Sequence, residues 1–294
     1  MAENPELCRP PSALSQGEAD DPVTARSGAG ALLSRDISAA GFKKCLILLL
    51  LTGLVIRTAF LLEHARTPSF AVPTLDQVYY DTVAKMLLAG DDLHALHGFR
   101  PLLYPIFLAS CYKVGGASGA DLAIVVQHLL GVGTALLVAI IGARLFRHRM
   151  SGIIAGALYL LAPVPLYFEG ELLIEPAYVF LIFAAIWVHL QAAEKTGWKA
   201  ALLWLSGGAL MVLAAQARAN IMVFLAVYPL FALWRLLEPV LSRRGNRDRP
   251  PQPSNEPGWL VPALPLAGLA GALLMAIPWG LFNLRQSDHF HLLP

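Results

Sequence analysis

Lys43-Lys44-Cys45-Leu46-Ile47-Leu48-Leu49-Leu50-Leu51-Thr52-Gly53-Leu54-Val55-Ile56-Arg57-Thr58-Ala59-Phe60-Leu61-Leu62 is the stretch that decides the fold class. Two lysines open it, and the apolar run from Cys45 to Leu62 carries one charge, Arg57. At about 1.5 Å of rise per residue, such a run nearly spans a hydrocarbon core of roughly 30 Å. It reads as an uncleaved signal anchor. Residues 1–42 before it are rich in Pro, Ser, Ala, Gly and charge and cannot bury enough apolar surface to order themselves. They read as a disordered tail, too long and too acidic for the n-region of a secretory signal.

The same test finds more runs along the chain. Spans are expected near Leu122–Ala143, Gly152–Phe168, Ala177–Gln191, Ala200–Ala217, Ile221–Trp234 and Leu260–Phe282. The fold class is therefore all-α, a polytopic membrane helix bundle of about seven spans. Composition agrees: the 294 residues are 56% hydrophobic and 14% charged, against about 25% charged in soluble domains. The net charge of +2 gives no ground for a nucleic-acid partner, so the expected surroundings are membrane lipids. Cys8, Cys45 and Cys111 lie far apart and form no metal-ligand spacing.

Lys and Arg are enriched in cytoplasmic loops, which sets an orientation. With the tail inside, 15 of the 22 basic residues fall on inside segments, 6 fall outside and Arg57 lies within the first span. Residues 43–294 then form the membrane module, with an outer loop at 63–121 and a cytoplasmic loop at 238–258. The expected location is a multi-pass protein of a bacterial plasma membrane, N terminus cytoplasmic, active face extracytoplasmic.

The outer loop holds candidate chemistry. Thr74-Leu75-Asp76-Gln77 fits a capping box, with Thr74 at the N-cap. Leu75, Tyr79, Val83, Met86 and Leu87 recur at helical spacing, and Gly90 supplies a stop, so residues 75–89 should form an amphipathic interfacial helix. Asp76 sits in its first turn, where the helix dipole favours a carboxylate. Pro101 to Val114 is apolar but too short to span and reads as a second juxtamembrane helix. Glu169, Glu171 and Glu175 surround the start of the fourth span, and Arg57 and Arg218 belong near the outer interface. Ionisable groups at membrane depth are costly and mark function by default, and two arginines there could clamp a phosphate. Each has a plainer reading. Asp76 could only stabilise its helix, Arg57 could snorkel, and Arg218 with Asn220 could cap a turn. Glu169 and Glu171 are expected to be solvated interfacial charges. His94, His97 and His128 show no metal spacing.

A series of short motifs resembles the membrane glycosyltransferases of the GT-C fold, glycosyltransferase family 39 and its bacterial relatives in particular. These include protein O-mannosyltransferases and lipid A aminoarabinose transferases. Asp76-Gln77-x-Tyr79-Tyr80, then Ala84, Leu88 and Gly90, then Arg100-Pro101-Leu102-Leu103-Tyr104-Pro105 resemble the family's first outer loop. Gln127-His128-Leu129-Leu130-Gly131, Ala143-Arg144-Leu145-Phe146, Gly170-Glu171-Leu172-Leu173-Ile174-Glu175 and Arg218-Ala219-Asn220 match later segments in order. The similarity covers about residues 43–290. It implies transfer of a sugar from a polyprenyl-phosphate donor to an acceptor hydroxyl, with inversion, on the extracytoplasmic face. The acceptor is not readable from the sequence. Asp76 matches the catalytic carboxylate, and Arg57, Arg100, Tyr104, Glu175 and Arg218 are the expected substrate-binding residues. No cofactor and no metal are implied; Gln77 stands where the family often has a second acid, and Ala219 replaces a usual proline. Family members continue with further spans, so a chain cut short at Pro294 is expected. A transporter or flippase for a lipid-linked substrate is the alternative, although no repeated half is visible. An inactive fragment is another.

Overall fold

The computed structural model describes residues 36–67, 70, 72–91, 101–245 and 260–287. Every regular element among them is a helix. In chain order these are α1 (Ala39–His64), α2 (Asp76–Ala89), α3 (Leu103–Gly115), α4 (Gly119–Leu145), α5 (Arg149–Leu161), α6 (Pro163–Glu169), α7 (Glu175–Ala193), α8 (Gly197–Ala215), α9 (Val227–Gly245) and α10 (Leu260–Ser287). Short 3-10 turns at Gly116–Ser118 and Ala219–Ala226 lead into α4 and α9. Six helical segments are long and apolar enough to cross a membrane, seven if the bent pair α5–α6 is one span. The chain is thus an all-α, multi-pass membrane bundle.

Helix α1 begins at Ala39, inside what the sequence reading gave to the tail. Ser38 is the reason: its backbone is extended and its hydroxyl accepts from Gly41 N at 3.0 Å, forming an N-cap. One stripe of α1, Leu49, Gly53 and Arg57, is buried at four-residue spacing. Ile47, Leu48, Leu51, Val55 and Leu62 stay exposed, the surface that a bilayer rather than water would cover.

Apolar attraction between helices is lost in lipid, so packing there depends on close approach of small residues. Helices α4 and α5 show this. A Cβ on Gly152 would lie 2.3 Å from Ala139 O, and one on Gly156 would lie 2.8 Å from Ala135 O. Helices α8 and α10 make a second seam, where a Cβ on Gly208 would lie 1.8 Å from Gly268 O and one on Gly271 would lie 1.9 Å from Leu205 O.

Two local breaks bring side chains toward one end of the bundle. Ala162 takes ψ 125° between α5 and α6 because Pro163 disfavours the helical region for the residue before it. The two pieces meet at 55°. Helix α3 is only 13 residues long, about 20 Å, and doubles back on α4: Tyr104 hydrogen-bonds Gln127, 23 residues further on. Since the spans alternate in direction, the end of α1, the start of α4, the end of α6, the start of α7 and the end of α8 share one end of the bundle with α2 and α3.

A candidate active site at one end of the bundle

Helix α2 is the element that carries Asp76, in its first turn as expected. Gly90 ends it in a left-handed conformation with φ 75°, as the sequence predicts. The capping box does not form. The N-cap position is Leu75, at φ 49°, with no side-chain cap, and the entry turn closes through Gln77 N to Thr74 O at 3.0 Å. Gln77 does not reach back to cap because its side chain is used elsewhere. Its Nε2 donates to Glu171 Oε2 at 2.7 Å, and its Oε1 accepts from Leu172 N at 3.4 Å.

An apolar core fixes α2 in place. Tyr80 and Ala84 pack with Tyr104 and Leu108 of α3, Ile124 of α4 and Leu172 before α7. Tyr80 and Tyr104 meet edge to face at 4.9 Å, a favourable aromatic geometry. Ala217, next to Arg218, belongs to the same core. One cluster of side chains thus holds the helix of Asp76 and the turn of Arg218.

Glu169 and Glu171 overturn the expectation of solvated interfacial charges, being 1% and 4% exposed. A charge in a span demands a partner, and Arg57 finds Glu169. Its Nη2 donates to Oε1 at 2.8 Å, its Nε lies 2.8 Å from Oε2, and His128 Nδ1 is 3.1 Å from the same Oε2. Space for this carboxylate comes from Gly131, where a Cβ would lie 1.8 Å from Glu169 Oε1. Glu171 has His64 Nε2 at 3.5 Å besides Gln77. Between the two acids, Gln127 Nε2 donates to the backbone oxygens of Glu169 at 3.0 Å and Glu171 at 2.6 Å.

The sequence-derived residues therefore fall into two layers. Asp76 is exposed. Arg218 is 51% exposed at its side chain and pairs with Glu175. Asn220 Oδ1 accepts from Tyr178 OH at 3.4 Å. Arg57, 2% exposed, and Tyr104, 1% exposed, form a layer below. Arg57 does not snorkel, and the structure does not bring its guanidinium to the surface beside Arg218. Tyr104 donates to Gln127 and acts as a post under α2. Arg100 lies outside the described residues.

His64, Gln127, His128, Glu169 and Glu171 were missed as a network. Their signal was an arginine inside a span, which obliges some later carboxylate to come to the same depth. A cavity of about 220 Å³ opens beside α2, walled by Gln77, Asp81 and Lys85 from one helix face, with Asp121, Glu171 and Phe70. Lys85 Nζ is 2.7 Å from Asp81, whose other oxygen accepts from Tyr112 OH at 2.8 Å. Three carboxylates against one lysine suit a neutral, hydroxyl-bearing group better than a phosphate. On the other side of Glu169, an apolar cleft of about 230 Å³ runs between α5–α6 and the start of α7, lined by Val164, Phe168, Glu175, Pro176 and Val179 among others.

The ingredients at this end are a surface carboxylate on a fixed helix, a surface arginine and an apolar cleft. No curated protein and no solved structure matches the chain. A family model, dolichyl-phosphate-mannose-protein mannosyltransferase, matches residues 75–294, from the residue before Asp76 onward. The chain belongs to that family of membrane glycosyltransferases.

Proposed function

We propose that this protein transfers a sugar, mannose as the family description suggests, from a polyprenyl-phosphate donor to a hydroxyl of a protein acceptor. The observation that carries this reading is the placement of Asp76 on a rigidly packed helix at the same bundle end as Arg218. The acceptor oxygen attacks the anomeric carbon as the bond from that carbon to the phosphate oxygen breaks. Asp76 takes the hydroxyl proton, and polyprenyl phosphate leaves with the bonding electron pair. Attack opposite the leaving group inverts the anomeric centre. Arg218 turns from Glu175 toward the departing phosphate, where a guanidinium matches phosphate oxygens. The apolar cleft beside Glu175 gives the prenyl chain a place at membrane depth. Arg57, held by Glu169, contributes to the frame. This scheme draws on no metal and no other cofactor.

The test is reconstitution of the purified protein in lipid with radiolabelled polyprenyl-phosphate mannose and a serine/threonine peptide. Labelled peptide is the expected product. Movement of intact donor across the bilayer with no transfer would refute the reading in favour of transport.

The proposed orientation puts this end outside the cytoplasm, on the charge asymmetry of the sequence. A cysteine substituted at Asp91, at the end of α2, should react with an impermeant thiol reagent applied to intact cells. A cysteine substituted at Asn246 should react only after permeabilisation. The reverse pattern would invert the topology.

A further inference from the structure

We infer that Gln77 is a positioning residue, whose side chain sets the aim of Asp76 by tying α2 to the segment that leads to Glu175 and Arg218; the inference rests on the function proposed above. Helix α2 starts without a side-chain cap. Leu75 precedes it at φ 49° and ψ −119°, a backbone region that a branched side chain enters only when its surroundings impose it. Leu75 is 90% exposed, so its own packing does not impose it. A restraint comes from Gln77, two residues on. Its amide makes two hydrogen bonds to consecutive residues, Glu171 through the carboxylate and Leu172 through the backbone.

That segment is itself held. Gln127 pins the backbone oxygens of Glu169 and Glu171 from the α4 side, and Tyr104 fixes Gln127. Three residues after Leu172 comes Glu175, paired with Arg218. Asp76 and Arg218 are thus tied to one stretch, Glu169 to Glu175, and Gln77 makes a tie to it on the Asp76 side. Removing it leaves Asp76 present but frees the first turn of α2. A misplacement of about 1 Å can cost roughly 100-fold in rate.

The pairing also explains why an amide stands at 77. Glu171 is buried and accepts from Gln77 at 2.7 Å. A second carboxylate there would set two acids face to face in a buried site, where they repel. A charge exchange restores one carboxylate and one amide, so Gln77→Glu should be harmful alone and tolerated together with Glu171→Gln.

The experiment compares native protein, Gln77→Leu, Gln77→Glu and the double variant Gln77→Glu/Glu171→Gln in lipid. Backbone amide exchange is followed over residues 76–80, and kcat and donor KM are followed in the transfer assay. Both single variants should speed exchange in that turn and lower kcat by roughly 10–100-fold, with donor KM unchanged. The double variant should recover both. Unchanged exchange in Gln77→Leu, or a kcat within about twofold of native, overturns the inference. So does a double variant no better than Gln77→Glu. If native protein transfers no sugar, the proposed function fails, and the exchange measurement alone decides whether Gln77 holds the turn.

Discussion

Asp76→Asn is expected to lower the transfer rate by roughly 10²–10⁴-fold, while the protein inserts, folds and binds donor as before. Two roles for this carboxylate differ by a large factor. As a first-turn charge on α2 it would contribute about 0.3–1 kcal/mol through the helix dipole, and the amide would be nearly neutral. As the group that accepts the hydroxyl proton it cannot be replaced by an amide, which has no basic oxygen. The geometry favours the second role: the residue is exposed in the first turn of a helix whose packed stripe begins one turn later, at Tyr80, and is locked into the core. The measurement is single-turnover transfer with saturating donor, with donor affinity determined separately. Near-native turnover in Asp76→Asn would remove it from the chemistry, and Glu175 would be the carboxylate to test next.

The second large effect concerns stability. Glu169→Ala or Arg57→Ala should destabilise the protein by about 3–5 kcal/mol, because either takes the guanidinium–carboxylate pairing from a buried charge, with only the His128 ring left beside Glu169 in the second case. Replacing both by leucine should recover most of that loss, since apolar groups of similar size are tolerated where an ion pair was. The readout is thermal unfolding in detergent of the two single variants and the double. Donor binding by the double variant answers a separate question. Retained affinity is expected if Arg57 belongs to the frame. Lost affinity in a stable double variant would return Arg57 to the phosphate.

What the sequence made legible was set by local rules. Apolar runs gave the spans, since length and hydropathy act over contiguous residues, and helical spacing with Gly90 gave α2. The family resemblance, carried by short motifs from Asp76 to Asn220, agrees with the family shown over residues 75–294. Gln77 as the reciprocal cap failed because its side chain had a better partner 94 residues away, which no local window contains. Glu169 and Glu171 were misjudged for the same reason: next to Gly170 at the end of an apolar run they look solvated, and only Arg57, Gln77 and His64 from distant segments show otherwise. The break at Ala162 follows from Pro163, a local rule that hydropathy over Gly152–Phe168 does not express.

The glycine seams have a consequence for how this chain can drift. Lipid-facing leucines of α1 answer only to greasiness, so their identities are interchangeable and carry little memory of the fold. At Gly152, Gly208 and Gly271 a single added methyl would collide with a neighbouring backbone, so any larger residue there would push two helices apart. In a hydropathy profile these residues are nearly silent. The vocabulary that specifies which helix lies beside which is therefore written in the residues with the least side chain, and two chains could share every apolar run of this one and still assemble differently.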